Sequence, residues 1–139
     1  MNYLLDTCVI SELVAKQPNP KVVEWIDGTE EACLHLSVIT IGEIRKGIEK
    51  LSASKRRTAL EEWLNEQLLA RFAGRIVPID TGVMLRWGQL MGALEMAGKA
   101  MPAIDSLIAA MALHGHFSLV TRNESDFTPA GVPTINPWK

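Results

Sequence analysis

Short apolar runs alternate with longer segments of helical periodicity along the chain, and this alternation restricts the possible folds more than any other feature. Apolar runs predict five strands, the last of them short: Tyr3–Leu5, 32–38, 76–79, 118–121 and 133–136. Apolar residues at helical spacing predict helices over 9–15, 20–27, 40–51, 55–72, 81–96 and 102–114. Strands that alternate with helices pair in parallel. The sequence therefore predicts an α/β sandwich of three layers, with a central, mainly parallel sheet of four to five strands flanked by helices.

Length and charge limit the function classes that need to be considered. The 139 residues indicate one domain over 1–139, with 14 basic and 16 acidic side chains and a net charge of −2. This balance argues against binding of nucleic acid dominated by electrostatics. Cys8 and Cys33 each lie next to apolar residues, so we expect buried free thiols and a cytoplasmic location. No apolar run is long enough for a membrane helix, and no leader pattern is present.

Four acidic residues lie where a parallel sheet would bring them to one edge. Asp6 directly follows the first strand, and Glu43 lies in the opening turn of the helix after the second strand. Asp105 lies in the first turn of the helix predicted over 102–114, and Asp126 follows the fourth strand. Ligands of open parallel sheets bind outside the carboxyl ends of the strands. Clustered carboxylates repel one another unless a cation is present, and oxygen ligands favour Mg²⁺ or Mn²⁺. The sequence thus indicates a metal site.

Each acidic residue also has a local explanation that needs no chemistry. Thr40 and Glu43 are three residues apart, which is the spacing of a capping box. Asp105 would complement the helix dipole, and Asp6 would form a turn with its own backbone, as would Asp126. The shared topological position of all four favours the metal site over four separate coincidences.

Four segments, in order, resemble the successive motifs of PIN-domain nucleases. They are YLLDTCVISEL at 3–13, SVITIGEI at 37–44, DSLIAA at 105–110 and LVTRNESDF at 119–127. The resemblance is closest to the VapC toxins of type II toxin–antitoxin pairs, including the FitB-like branch, and covers almost the whole chain. Cys8 stands where many relatives carry Asn, and a thiol is a poorer hydrogen-bonding group than an amide. We therefore assign Cys8 no direct ligand role.

The resemblance implies a PIN domain that acts as a Mg²⁺-dependent endoribonuclease, with Mn²⁺ as a possible substitute. It implies metal-binding and catalytic roles for the four acidic residues: Asp6, Glu43, Asp105 and Asp126. Thr7, Thr121 and Asn123 are candidates for supporting positions, and whether Asn123 or Asp126 fills the fourth site position stays open. The resemblance further implies an RNA substrate, a homodimer, a cognate antitoxin that inserts a segment near the site, and no membrane association.

Two other functions compete with the nuclease. An aspartyl phosphotransferase would use Asp6 as a nucleophile, but the second aspartate of the dehalogenase-like pattern is replaced by Cys8. A catalytically silent PIN-like binding module would not need the four carboxylates, and all four are present.

Basic and apolar stripes suggest where partners bind. The densest basic stretch either lines the approach of RNA or forms a solvated helix face, and it consists of Arg45, Lys46, Lys50, Lys55, Arg56 and Arg57. Arg122 is a further candidate for a phosphate contact. Met84, Trp87, Met91 and Leu94 recur at helical spacing, which indicates core packing or a surface for a partner helix.

Overall fold

The computed structural model describes residues 1–139, and its centre is one parallel sheet of five strands. The strands are β1 (Tyr3–Leu5), β2 (Leu34–Ser37), β3 (Ile76–Val77), β4 (Ser118–Val120) and β5 (Thr134–Ile135). Each neighbouring pair is parallel, and the strand order is β3-β2-β1-β4-β5. The predicted α/β sandwich is confirmed, and β3 lies at the sheet edge next to Pro78.

Eight α-helices connect and cover the strands. They are α1 (Thr7–Leu13), α2 (Pro20–Asp27), α3 (Val38–Glu49), α4 (Lys55–Glu62), α5 (Leu69–Arg71), α6 (Thr81–Met96), α7 (Ala103–His114) and α8 (Glu124–Phe127). A π-helical segment, Trp63–Leu68, joins α4 to α5, so the helix predicted over 55–72 is continuous but locally widened. The short α8 follows β4 and was not predicted.

Polar caps start several helices where the sequence indicates. Asp80 Oδ1 accepts the backbone N–H of Val83 at 2.9 Å and so begins α6 as predicted. The start predicted for α3 was wrong. Ser37, the last residue of β2, caps this helix by accepting the N–H of Thr40 at 3.1 Å. Thr40 and Glu43 therefore form no capping box, and Glu43 lies in the second turn of the helix rather than in its opening turn.

Side chains alternate across the sheet and create two separate apolar cores. Leu4 and Leu119 face one core, together with buried side chains from α6 and α7. Leu5 and Val120, one residue further along each strand, face the other core with side chains from α1, α2 and α3. Three layers result, since helices cover both faces of the sheet.

Some expectations about apolar side chains need correction. Cys8 and Cys33 are free thiols, but both are half-buried rather than buried. The stripe on α6 mostly packs inward, because Leu94 is buried and Trp87 donates its indole N–H to Ser106 Oγ at 2.8 Å. Met84 at the start of that stripe is exposed. None of the helices combines the length and hydropathy needed to cross a bilayer.

Candidate active site

The order of the strands produces a crevice at the carboxyl ends of β1 and β4. From β1 the chain builds β2 and β3 on one side, then returns to add β4 and β5 on the other. Helices leave such a switch point in opposite directions and leave a gap in which ligands bind. Asp6, which follows β1, and Thr121, which follows β4, border this gap.

Asp6 is held in place by hydrogen bonds to both of its carboxylate oxygens. Thr121 Oγ1 donates to Oδ2 at 2.8 Å, and the backbone N–H of Thr7 donates to Oδ1 at 2.9 Å. Thr121 Oγ1 itself accepts the N–H of Asn123 at 3.1 Å. Burial raises the pKa of Asp6 and the charge of Glu43 raises it further, whereas the two hydrogen bonds partly lower it. The aspartate is therefore fixed in orientation, and the charge of a second carboxylate acts on it.

Glu43 receives its hydrogen bond from Thr7, the residue that also contacts Asp6. Thr7 Oγ1 donates to Glu43 Oε1 at 2.5 Å, and it lies 3.0 Å from Thr40 Oγ1. Thr40 is in turn 3.4 Å from the hydroxyl of Ser37. Ser37 and Thr40 are each only 1% exposed. A line of hydroxyl groups thus runs from the protein interior to the Glu43 carboxylate.

Asp105 and Asp126 complete the acidic edge without comparable support. Asp105 lies in the first turn of α7 and is half-buried, and Asp126 lies on α8 and is exposed. Burial raises the pKa of Asp105 first, followed by the charges of Asp126, Asp6 and Glu43 in that order. No hydrogen bond contributes to the pKa of Asp105. The four carboxylates therefore lie close enough for their charges to interact.

The backbone and the side chain of Asn123 have different surroundings. The backbone N–H supports Thr121, but the side chain is exposed and caps no helix. The charge of Asp126 acts on Asp105 more strongly than those of Asp6 and Glu43. Asp126 and Asn123 are both candidates for the fourth site position, and Asp126 is the one whose charge reaches Asp105.

The donor set has the chemistry of a site for a hard dication. All four groups are carboxylates, and none of them forms an ion pair with a lysine or arginine. Their oxygens are ligands that Mg²⁺ and Mn²⁺ prefer. No three acidic, histidine or cysteine side chains are already drawn together as an ion-binding cluster. The residues fit the ion in kind and charge, and binding requires the carboxylates to approach one another.

Cys8 lies beside the site as a neutral thiol. Its Sγ is 3.9 Å from Asp6 Oδ2 and 3.8 Å from Thr121 Oγ1. Burial is the main cause that raises the pKa of the thiol; a hydrogen bond with the backbone of Arg122 opposes the rise, and the charge of Asp6 adds to it. A protonated thiol is a poor metal ligand, which agrees with assigning Cys8 no ligand role.

Two grooves meet at Glu43, one on each side of α3. The apolar groove lies between α1, α3 and α4 and is lined by Thr7, Ser11, Val14, Glu43, Ile44, Gly47, Ile48, Leu51, Arg56, Leu60 and Trp63. The basic groove lies between α3 and the start of α7 and is lined by Ile39, Gly42, Glu43, Lys46, Gly47, Lys50 and Ile104. Glu43 and Gly47 border both.

The structure separates the basic residues that the sequence grouped together. Arg45 pairs with Glu49, and Arg57 pairs with Glu49 at 3.2 Å and with Glu61 at 2.9 Å. Lys46 and Lys50 have no acidic partner and line the basic groove. Arg122 has no acidic partner either, and its guanidinium lies 5.5 Å from the centre of the Trp138 ring.

Sequence reasoning missed the two buried hydroxyl residues behind Glu43. Ser37 and Thr40 precede it at intervals of three residues, which on a helix begun at Val38 carries the hydroxyls toward the same side. That spacing is a usable signal, although for Thr40 and Glu43 it fits a capping box equally well. The unpaired state of Lys50 had no signal in the sequence.

Comparisons with known proteins agree with one another. The family model described as "PIN domain" matches residues 3–130. "VapC ribonuclease Y4jK" of Sinorhizobium fredii is 39% identical over 98% of this chain and 97% of its own. "Toxin FitB" of Neisseria gonorrhoeae is 39% identical over 97% of each chain. The crystal structure of FitAcB from Neisseria gonorrhoeae superposes with a TM-score of 0.92 over 98% of each chain.

Proposed function

Because this chain belongs to the PIN-domain family, and within it to the VapC and FitB toxins, we propose that it is a metal-dependent endoribonuclease. It is the toxin of a type II toxin–antitoxin pair and hydrolyses RNA phosphodiester bonds in the cytoplasm, with one PIN domain spanning 1–139. The observation that carries this proposal is the set of four interacting carboxylates at the β1–β4 crevice, none of which forms an ion pair with a lysine or an arginine.

Asp6, Asp105 and Asp126 are the residues proposed to hold the ion, and Glu43 is proposed to accept a proton. A bound Mg²⁺ or Mn²⁺ ion supplies the positive charge that stabilises the attacking and leaving oxygens of a phosphodiester. Glu43 Oε2 is not used by Thr7 and so remains available to take the proton of the attacking water. The hydrogen bonds from Thr121 and Thr7 keep Asp6 oriented toward the crevice. Attack by water in line leaves a 5′-phosphate and a 3′-hydroxyl.

The basic groove is the proposed path of the RNA backbone toward these carboxylates. It begins at the unpaired Lys50, passes Lys46, and reaches Glu43 beside the start of α7. Single ammonium groups contact phosphates without reading the bases. Arg122 offers a further phosphate contact on the other side of the crevice. Arg45 is excluded from this path, since Glu49 neutralises it.

The apolar groove is the proposed seat of the antitoxin. Its far end carries Leu51, Leu60 and Trp63, which would bury apolar side chains of a partner segment. Its near end reaches Glu43, where a basic side chain of that segment would pair with the carboxylates. A homodimer is also proposed, because Leu85 and Met96 expose 66% and 91% of their surface and a second copy would cover apolar area of this kind.

The proposal is tested by incubating the purified chain with RNA in the presence and absence of Mg²⁺. We expect cleavage that EDTA abolishes and products that carry a 5′-phosphate. Asp6→Asn and Asp105→Asn should lower kcat at least about a hundredfold while the circular dichroism spectrum is retained. Glu31→Gln, far from the crevice on the opposite end of β2, serves as the control with the same charge change.

Each alternative function has its own outcome in this assay. An acid-labile aspartyl phosphate that Asp6→Asn removes would identify a phosphotransferase instead. RNA binding without cleavage at any metal concentration would identify a binding module. For the toxin assignment, arrest of growth on expression should be relieved by the neighbouring open reading frame, and arrest by the Asp105→Asn variant would contradict it.

A further inference from the structure

The hydroxyl groups of Ser37, Thr40 and Thr7 form an unbroken line that ends on Glu43. The oxygen–oxygen distances along it are 3.4 Å, 3.0 Å and 2.5 Å. Ser37 and Thr40 are almost completely buried, whereas Glu43, at the end of the line, is exposed to solvent. The line crosses from α3 to α1 and back to α3, so no local sequence rule produces it.

Simple counting of protons gives this line a single direction. A carboxylate only accepts hydrogen bonds, so the Thr7 hydroxyl must donate its single proton to the hydrogen bond with Glu43. The contact between Thr7 and Thr40 can then be made only if Thr40 donates. Thr40 has no proton left for Ser37, so Ser37 donates to Thr40, while Ser37 accepts the backbone N–H of Thr40 at 3.1 Å. Every hydroxyl therefore points its proton toward Glu43.

We propose that Ser37, Thr40 and Thr7 act as a one-way hydroxyl relay that positions Glu43 for the reaction, with Thr40 as a positioning residue that never touches the carboxylate itself. The proposal rests on the function proposed above. Each donated bond polarises the next hydroxyl, so the bond that reaches Glu43 is stronger than that of an isolated threonine. The relay also leaves only one carboxylate oxygen of Glu43 free to face the crevice.

Asp6 is supported separately, which makes the effect of the relay on Glu43 selective. Thr7 contacts Asp6 through its backbone N–H and Glu43 through its side chain. The other oxygen of Asp6 is served by Thr121 from β4. Removing the hydroxyl of Thr40 therefore weakens the support of Glu43 and leaves both hydrogen bonds of Asp6 in place.

The test compares Thr40→Val, which removes the hydroxyl at nearly constant shape, with Thr40→Ser, which keeps it. We expect Thr40→Val to lower kcat about tenfold with KM changed less than about twofold, because only the orientation of Glu43 is lost. Thr40→Ser should restore kcat to within about twofold of the wild type. Thr29→Val is the matched control, since Thr29 donates to the Trp25 carbonyl at 2.7 Å outside the relay.

A second readout does not depend on catalysis or on a bound metal. In the metal-free protein, NMR should detect slowly exchanging hydroxyl protons on Thr40 and Thr7, and Thr40→Val should accelerate exchange at Thr7. Thr7→Val provides the same kinetic test should Thr40→Val fail to fold. The relay is overturned by fast exchange at both hydroxyls, or by Thr40→Ser being as impaired as Thr40→Val. If the wild type cleaves no RNA but the hydroxyls are protected, the relay stands and the proposed function fails.

Discussion

Replacing Lys46 and Lys50 with glutamine removes the two unpaired charges of the basic groove and tests whether RNA follows it. Lys46 lies in the last turn of α3 and Lys50 is its C-cap residue, and neither has an acidic partner. Each phosphate that a cation neutralises on a single strand contributes about 0.7 to the slope of log affinity against log salt. The double variant should therefore have a salt dependence that is less steep, with the magnitude of the slope reduced by about 1.4.

The same figure predicts a change in affinity that depends on salt. Between 50 and 200 mM salt, two phosphate contacts account for a loss of roughly sevenfold in affinity. The gap between wild type and double variant should therefore shrink about sevenfold over this range. A purely structural effect of the lysines, such as their interaction with the carboxyl end of α3, would change the unfolding temperature and not the slope.

Fluorescence anisotropy of a labelled single-stranded RNA measures this slope, with all proteins carrying Asp105→Asn so that the RNA stays intact. The control is the double variant Arg45→Gln, Arg71→Gln, which removes two charges that Glu49 and Glu31 already neutralise. The reasoning is refuted if the lysine variant keeps the wild-type slope, or if the control lowers it equally.

Three further predictions concern stability. Burial and the neighbouring charges raise the pKa of Asp105, so the folded chain loses stability as pH rises through that pKa. Asp105→Asn should therefore raise Tm in EDTA and abolish stabilisation by Mg²⁺. A lower Tm of this variant in EDTA would contradict the prediction. Hydrogen bonds from Arg71 and Arg75 lower the pKa of Glu31 to about 2, so the stability that this carboxylate contributes is fully present above its ordinary pKa and is lost as pH falls through about 2. Because the pair is exposed, Glu31→Gln should cost less than about 1 kcal/mol at pH 6 and clearly less at pH 2, as urea titrations at both pH values would show. Gly42→Ala adds a methyl group that meets no atom within 4 Å at an exposed position of α3, so urea denaturation should show a gain of roughly 0.5–1 kcal/mol, and a loss would indicate a hidden contact.

The sheet could be predicted because its signals are local. Each strand is a short apolar run, and residues such as Pro20 and Asp80 mark helix starts by their own chemistry. The order of the strands could not be predicted, because β4 pairs with β1 through contacts more than a hundred residues apart. The crevice between these two strands was therefore expected only in general terms.

The site shows the same limit at the level of single residues. The positions of Asp6 and Asp105 follow from the ends of predicted elements. The role of Thr40 does not, because the capping-box spacing fitted Thr40 and Glu43 as well as it fits true capping boxes. The cap formed by Ser37 excludes the capping box, and the contact of Thr40 with Thr7, 33 residues away, exists only in the folded chain.

Since α3 keeps the two grooves apart, inhibition and cleavage should be genetically separable. Substitutions at Leu51, Leu60 or Trp63 would alter the groove proposed for the antitoxin while the lysine-lined path stays intact. A selection for mutants that kill cells despite the antitoxin should therefore enrich substitutions in the apolar groove. Substitutions along the basic groove should instead give proteins that no longer arrest growth but still bind the antitoxin.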